Sequence, residues 1–185
     1  VISKEAQRAR DFYRGHIARD YDKERMRRSL WAVEDVAIRA MFLGRKDLRL
    51  LDVPVGTGRF LPLFEELGFT VTGMDSAPDM LTEAAKRETN ATLALGDAFA
   101  LPFHDKSFDV AFCCRLLHLI EHKDVPILLD ELFRVASEVI FTVRLGAEEH
   151  PRHGPHRQKV LDAYLGELSY TRFELISDFW LYRVC

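Results

Sequence analysis

The sequence predicts an α/β protein: a doubly wound, mostly parallel sheet of about six or seven strands behind an N-terminal helical cap. Three observations predict it. Between residues 48 and 143, short, near-continuous apolar runs alternate with helical patterns, which is how strands covered on both faces read. Several of the apolar runs end in an acidic residue and a glycine-containing turn. Ahead of them, residues from about 4 to 44 carry apolar side chains at helical spacing.

Taken in order, Ala6, Ala9, Phe12 and Tyr13 mark a first helical stretch, and Trp31, Val33, Val36, Ala37, Ala40 and Met41 another. Gly15 and the stretch around Ser29 divide this region into two or three helices, and Gly44 supplies a C-terminal cap. Leu48 to Val53 is a buried strand, stopped by Pro54 and two glycines. Arg59 to Leu67 is a helix ended by Gly68, and Phe69 to Met74 a second strand. Pro78 to Glu88 is a helix with proline in its favoured first turn. Strands follow at 91–95, 108–113 and 138–143, with a helix at 125–135 before the last of these. The polar, Pro/Gly-broken stretch 145–157 reads as a long loop. A helix at 158–168 and strands at 172–179 and 181–185 complete the chain.

Composition narrows the function. The 185 residues are 48% hydrophobic and 30% charged, with a net charge of -3, which suits one globular domain, 1–185, with a cap at 1–46 and a core at 47–185. No bulk positive charge argues for nucleic-acid binding. The run Lys23, Arg25, Arg27, Arg28 is interleaved with Asp20, Asp22 and Glu24, as on a solvated helix face. Cys113, Cys114 and Cys185 have no metal-type spacing, no apolar stretch approaches the ~20 residues of a membrane span, and the start is polar; a cytoplasmic protein is expected. Oligomeric state is left open.

The chemistry concentrates at strand ends, where open α/β sheets bind ligands. Asp52-Val53-Pro54-Val55-Gly56-Thr57-Gly58 places an acid before a Gly-x-Gly turn. Leu61 stands where a dinucleotide fingerprint has its third glycine or alanine, and no Gly-Lys-Ser/Thr exists for a phosphate loop. An acid at this point suits a cationic ligand better than a pyrophosphate. Asp75, ending the next strand, can accept from ribose hydroxyls, as it also would in a nicotinamide enzyme. Asp97, after the third strand, can accept an adenine amino group beside the Ala98 backbone.

In order, these blocks read Asp-x-x-x-Gly-x-Gly, Gly-x-Asp-x-Ser-x-x-Met-Leu (Gly73 to Leu81), Gly-Asp-Ala-x-x-Leu-Pro-Phe (Gly96 to Phe103) and Ser107-Phe108-Asp109-Val110. The pattern resembles class I S-adenosylmethionine (SAM)-dependent methyltransferases, which have a Rossmann-like sheet. It resembles most the broad group that includes the ubiquinone/menaquinone-biosynthesis C-methyltransferases and many small-molecule methyltransferases. Ile17 to Asp22 is similar to that group's Ala-x-x-Tyr-Asp segment, and the resemblance runs from about residue 11 to 145. It implies SAM as cofactor and S-adenosylhomocysteine as product. Asp52, Gly56 and Gly58 would hold the methionine part, Asp75 the ribose, Ser76 and Met80 the adenosine, and Asp97 and Ala98 the adenine. The Arg115 backbone would touch the methionine end, and Tyr21 would close the pocket. The group usually has glycine where this chain has Pro54.

His118, after the fourth strand, is the candidate catalytic residue, as general base or substrate contact; the other reading has it bonding loop backbone and ordering a lid. His150, His153 and His156 fall in the 145–157 loop, expected to face substrate without a metal. Cys113 and Cys114 read as small packing residues rather than nucleophiles. Phe12, Tyr13, Trp31 and Phe42 either line an acceptor pocket or pack on the sheet. Cys114-Arg115-Leu116-Leu117 lacks the Asn/Asp-Pro-Pro-aromatic pattern of amino-methyltransferases acting on nucleic acids or glutamine, so a small-molecule acceptor is expected, with O-, N- and C-methylation all open. The rivals are an NAD(P)-dependent oxidoreductase on the same general fold and a non-catalytic SAM-fold subunit.

Overall fold

The computed structural model describes residues 2–146, 155–166, 168–176 and 178–185. Four N-terminal helices come first: α1 (Lys4–Phe12), α2 (His16–Arg19), α3 (Tyr21–Met26) and α4 (Ser29–Phe42). Ser3 caps α1, its hydroxyl accepting from Ala6 N at 3.1 Å. Gly15 and the stretch before Ser29 break the region as expected. A further break at Asp20 (φ -94, ψ 0) splits α2 from α3, giving four helices rather than two or three.

The core then alternates β1 (Arg49–Asp52), α5 (Leu61–Glu66), β2 (Thr70–Asp75), α6 (Pro78–Ala85), β3 (Thr92–Leu95), β4 (Phe108–Cys113), α7 (Val125–Val135) and β5 (Ala136–Arg144). α8 (Pro155–Leu165), β6 (Tyr170–Ile176) and β7 (Phe179–Val184) close the chain. α8 starts and stops earlier than the predicted 158–168, because Gly166 at φ 46 takes the left-handed turn that ends it. The last two strands also shift toward the N-terminus, because left-handed Asp178 (φ 62) leads directly into β7. Most of the polar 145–157 stretch, with His150 and His153, lies outside the described residues, as does the side chain of His156.

The seven strands run in the order β3-β2-β1-β4-β5-β7-β6. The first five are parallel, and β7 is antiparallel to both its neighbours. Alternate side chains serve opposite faces. Leu51, Ala111, Cys113, Val139 and Phe141 pack under α7 and α8, while Leu50, Val110, Phe112 and Ile140 pack under α4 and α5. Both faces are covered, which is why the strands read as continuous apolar runs. α7 docks through Val125, Leu128, Leu129, Leu132 and Val135, all fully buried at helical spacing. From β1 the chain leads to β2 on one side, and β4 lies on the other. That switch point opens a crevice at the carboxyl ends of the strands.

Candidate active site

A cavity of about 950 Å³, its open mouth included, occupies this crevice. Its wall follows the sheet order. Asp97 and Ala98 stand after β3, Asp75 and Ser76 at the end of β2, Asp52 and Gly56 after β1, and Cys114 and Arg115 after β4. Ala6, Ala9, Tyr13 and Tyr21 form the roof, and Trp31 of α4 and Arg59 close one end. The roof is tied down from several points. Asp97 Oδ2 accepts from Ser3 N (2.6 Å), Arg10 Nε donates to Ser76 O (2.7 Å), and Asp79 Oδ2 accepts from Gly15 N (2.6 Å). Thr57 Oγ1 donates to Asp22 Oδ1 at 2.6 Å, and Arg87 pairs with the same carboxylate.

One end of the cavity is acidic. Asp75 is 5% exposed; its Oδ1 accepts from Ala77 N (2.8 Å) and its Oδ2 from Gly56 N (2.9 Å). Burial nevertheless raises its pKa to about 6, against the opposing pull of those backbone donors. Asp52 is 3% exposed and its carboxylate has no hydrogen-bond partner among the described residues. Burial first, then the charge of Asp75, pushes its pKa well up. Two buried carboxylates share one cavity with no cation between them, an arrangement that a positively charged ligand relieves. Gly56 (φ 56) has open space where a side chain would be, so backbone and ligand can approach closely. The preceding Val53–Pro54 peptide is cis.

The opposite end is basic. Glu34, fully buried on α4, accepts at Oε2 from both Arg59 Nη1 and Arg115 Nε, each at 2.8 Å. The two arginine side chains are only 11% and 13% exposed. Arg59 also lies 3.6 Å from the Trp31 ring centroid, a close cation–π contact, and donates to the Trp31 carbonyl. Arg115 adopts a left-handed backbone (φ 62), costing about 1–2 kcal/mol for a side-chain-bearing residue. Its N–H is held by Thr142 Oγ1 at 2.8 Å. Tyr13 and Tyr21 are both pushed up in pKa, chiefly by burial, and stay protonated.

Of the residues singled out from the sequence, Tyr21, Asp52, Gly56, Asp75, Ser76, Met80, Asp97, Ala98 and Arg115 all line this cavity. Gly58 and His118 do not. A Cβ on Gly58 (φ 71) would meet Leu61 Cδ1 at 2.8 Å and Ala84 Cα at 3.1 Å, so that glycine serves close packing of α5 on α6. The His118 ring packs against Phe179 at 5.4 Å, and its Nδ1 is buried with no partner. Burial, followed by Arg115 and other arginines, lowers its pKa to about 3, so the imidazole is neutral. Asp97 spends Oδ2 on Ser3 N and Oδ1 on Phe99 N (3.0 Å), bonds the sequence did not suggest. Tyr13 and Trp31 line the cavity, whereas Phe42 is core and Phe12 is 58% exposed. Cys113 is buried packing, and Cys114 reaches the cavity wall. Sequence reasoning missed Glu34 and Arg59. Glu34 had a signal: it shares an i, i+4, i+8 stripe with buried Ile38 and Phe42.

Comparison with known proteins bears on the family and the fold. A family described as a methyltransferase domain matches residues 50–138, just under half of the chain. A malonyl-[acyl-carrier protein] O-methyltransferase of Serratia marcescens is 37% identical over 87 residues, 47% of this chain and 33% of its own. A demethylmenaquinone methyltransferase of Renibacterium salmoninarum is 34% identical over 110 residues, 59% of this chain and 45% of its own. The chain thus spans between a third and just under half the length of these relatives. The DhpI–SAM–HEP complex superposes with a TM-score of 0.79 at 16% identity over 100% of both chains. Magnesium protoporphyrin IX methyltransferase from Synechocystis PCC 6803 with bound SAH gives 0.73 at 15% identity, covering 98% of this chain and 99% of that one. Identities this low speak for the fold. Residues 50–138 thus match a methyltransferase-domain family, and the seven-stranded sheet is a fold this chain shares with solved methyltransferase structures.

Proposed function

We propose that the chain binds SAM in the crevice and transfers its methyl group to a small-molecule acceptor. The observation that carries this reading is the set of carboxylates at three adjacent strand ends, Asp97, Asp75 and Asp52, facing one cavity beside the Gly56 turn. SAM supplies an electrophilic methyl on a positively charged sulfur, and it carries an ammonium and no phosphate. In this reading Asp75 receives the ribose hydroxyls, with Ser76 and Met80 along the adenosine and Ala98 beside the adenine. Asp52 and the Gly56 backbone receive the amino-acid part. Asp97 holds the roof through Ser3, so adenine contact and roof closure meet at one carboxylate.

The chain's own task is alignment, since displacement at the methyl carbon needs nucleophile, carbon and sulfur in line. Holding reactants so can be worth about 7–11 kcal/mol. Tyr13 and Tyr21 roof the cavity and limit water. His118, neutral and behind the wall, is placed to order the segment after β4 rather than to take a proton. The nicotinamide alternative fits less well: two uncompensated buried carboxylates repel a pyrophosphate. Calorimetric titration with SAM and, separately, NAD⁺ tests the reading. One-site binding of SAM with no heat from NAD⁺ supports it, and the reverse pattern, or silence to both at millimolar ligand, rejects it.

A further inference from the structure

The Arg115–Glu34–Arg59 cluster is not needed for the adenosine, and its position in the sheet order says what it faces. The three carboxylates stand on β3, β2 and β1, while Arg115 stands after β4, across β1 from the adenosine side. In the methyl-transfer reading above, a group beyond the sulfur would lie there. Among the described residues, Glu34 is the one acid paired with Arg115. Two largely buried arginines share Glu34, and Asp35, 3.8 Å from Arg59, is bonded more closely to Arg39, at 2.8 Å. Arg115 spends Nε on Glu34, and its Nη2 is buried with no partner. Around it the cavity is aromatic or aliphatic: Tyr21, Trp31, Leu116 and Leu119. Among the described residues no ionisable base faces this end, since His118 stands outside the wall and the tyrosines stay protonated.

We propose that Arg115 anchors a carboxylate of the methyl acceptor, and that the chain esterifies a small, largely apolar carboxylic acid. The proposal rests on the methyl-transfer reading above. One carboxylate oxygen donates its electron pair to the methyl carbon, and the carbon–sulfur pair remains on sulfur. The products are a methyl ester and a neutral thioether. An acceptor that arrives as an anion gives up no proton, which matches a cavity end with no base among the described residues.

The test compares the wild type with Arg115→Met and Arg115→Lys, using methyl-labelled SAM. The acceptors are benzoic, phenylacetic, cinnamic and medium-chain alkanoic acids, each beside its primary amide and alcohol. Alkali releases the label of a methyl ester as volatile methanol. Alongside, calorimetry measures S-adenosylhomocysteine and methylthioadenosine, which lacks the amino-acid tail. We expect alkali-labile label on acids only, a loss of ~100-fold or more in Arg115→Met, partial return in Arg115→Lys, and unchanged binding of both nucleosides. Glu34 keeps Arg59 in either variant, so no buried charge is orphaned; should Arg115→Met not fold, Arg115→Lys carries the comparison. Alkali-stable label on alcohols or amides overturns the proposal. So does a protein that binds S-adenosylhomocysteine yet labels no acid. Loss of S-adenosylhomocysteine but not methylthioadenosine affinity in Arg115→Met also overturns it, assigning the arginine to the cofactor's own carboxylate. A wild type that binds neither nucleoside strikes the methyl-transfer reading itself.

Discussion

The two ends of the cavity are built by opposite means. The acidic end uses one residue from each of three neighbouring strand tips, and each carboxylate is bonded to backbone N–H groups, one of them as distant in the chain as Ser3, or to nothing among the described residues. The basic end draws Glu34, Arg59 and Arg115 from three distant places in the chain and locks them to one another. The first end is left electrostatically unfinished, ready for a cation. The second is a braced framework in which Arg115 keeps one unpartnered nitrogen. The contrast teaches that unpaired acidic charge and cross-chain bracing reside in different halves of the same site.

The largest effect should come from the braced half. Glu34→Ala removes the carboxylate that Arg59 and Arg115 share. Breaking such a pair costs about 3–5 kcal/mol, and urea unfolding should show a loss of that size. A change under 1 kcal/mol would mean the arginines find other partners, and the contrast would dissolve. Asp75→Asn should do the reverse. It should leave the unfolding midpoint little changed or raised, since it removes a buried charge, while weakening S-adenosylhomocysteine binding by ~100-fold, as expected for lost charge-assisted bonds of about 1.5–3 kcal/mol.

Acidity sharpens the comparison further. With a folded pKa of about 6 against an ordinary 3.8, Asp75 is penalised when ionised in the fold. Its contribution to stability is therefore greatest below pH 4 and falls as pH rises through 6. The ribose hydroxyls donate most strongly to the ionised form, so affinity should run the other way. Calorimetry should find binding about tenfold weaker at pH 5 than at pH 7.5, one unit of ionisation being worth about 1.4 kcal/mol. Asp75→Asn should flatten the profile; an equally steep one in that variant would move the titration to another group. The smallest effect belongs to His118→Ala. With the ring neutral and outside the cavity, turnover should fall less than about threefold, whereas a general base is worth ~10²–10⁴-fold.

The same contrast explains what the sequence could tell. The acidic end was legible because each element is local: a strand of apolar residues, an acid at its tip, a turn. Asp52, Asp75 and Asp97 could be placed before any coordinates. The strand from Phe108 to Cys113 and the helix from Val125 to Val135 were legible for the same reason, with both boundaries as observed. The basic end was not, because its meaning lies in pairings across 25 and 81 residues of chain. Arg59 reads as a helix-start residue and Arg115 as a loop residue until Glu34 stands between them. Depth was also invisible: nothing in Leu117-His118-Leu119 says that the imidazole packs on Phe179, a residue 61 positions away by number. Gly58 shows the converse, a motif glycine that packs α5 on α6 and does not line the cavity.

A crystal structure with S-adenosylhomocysteine tests the two-ended site most directly. The account predicts the ribose hydroxyls on Asp75, the amino group near Asp52, and Arg115 still bonded to Glu34 with its outer nitrogen free. A nucleoside seated elsewhere, or a cofactor carboxylate lying on Arg115, would contradict it.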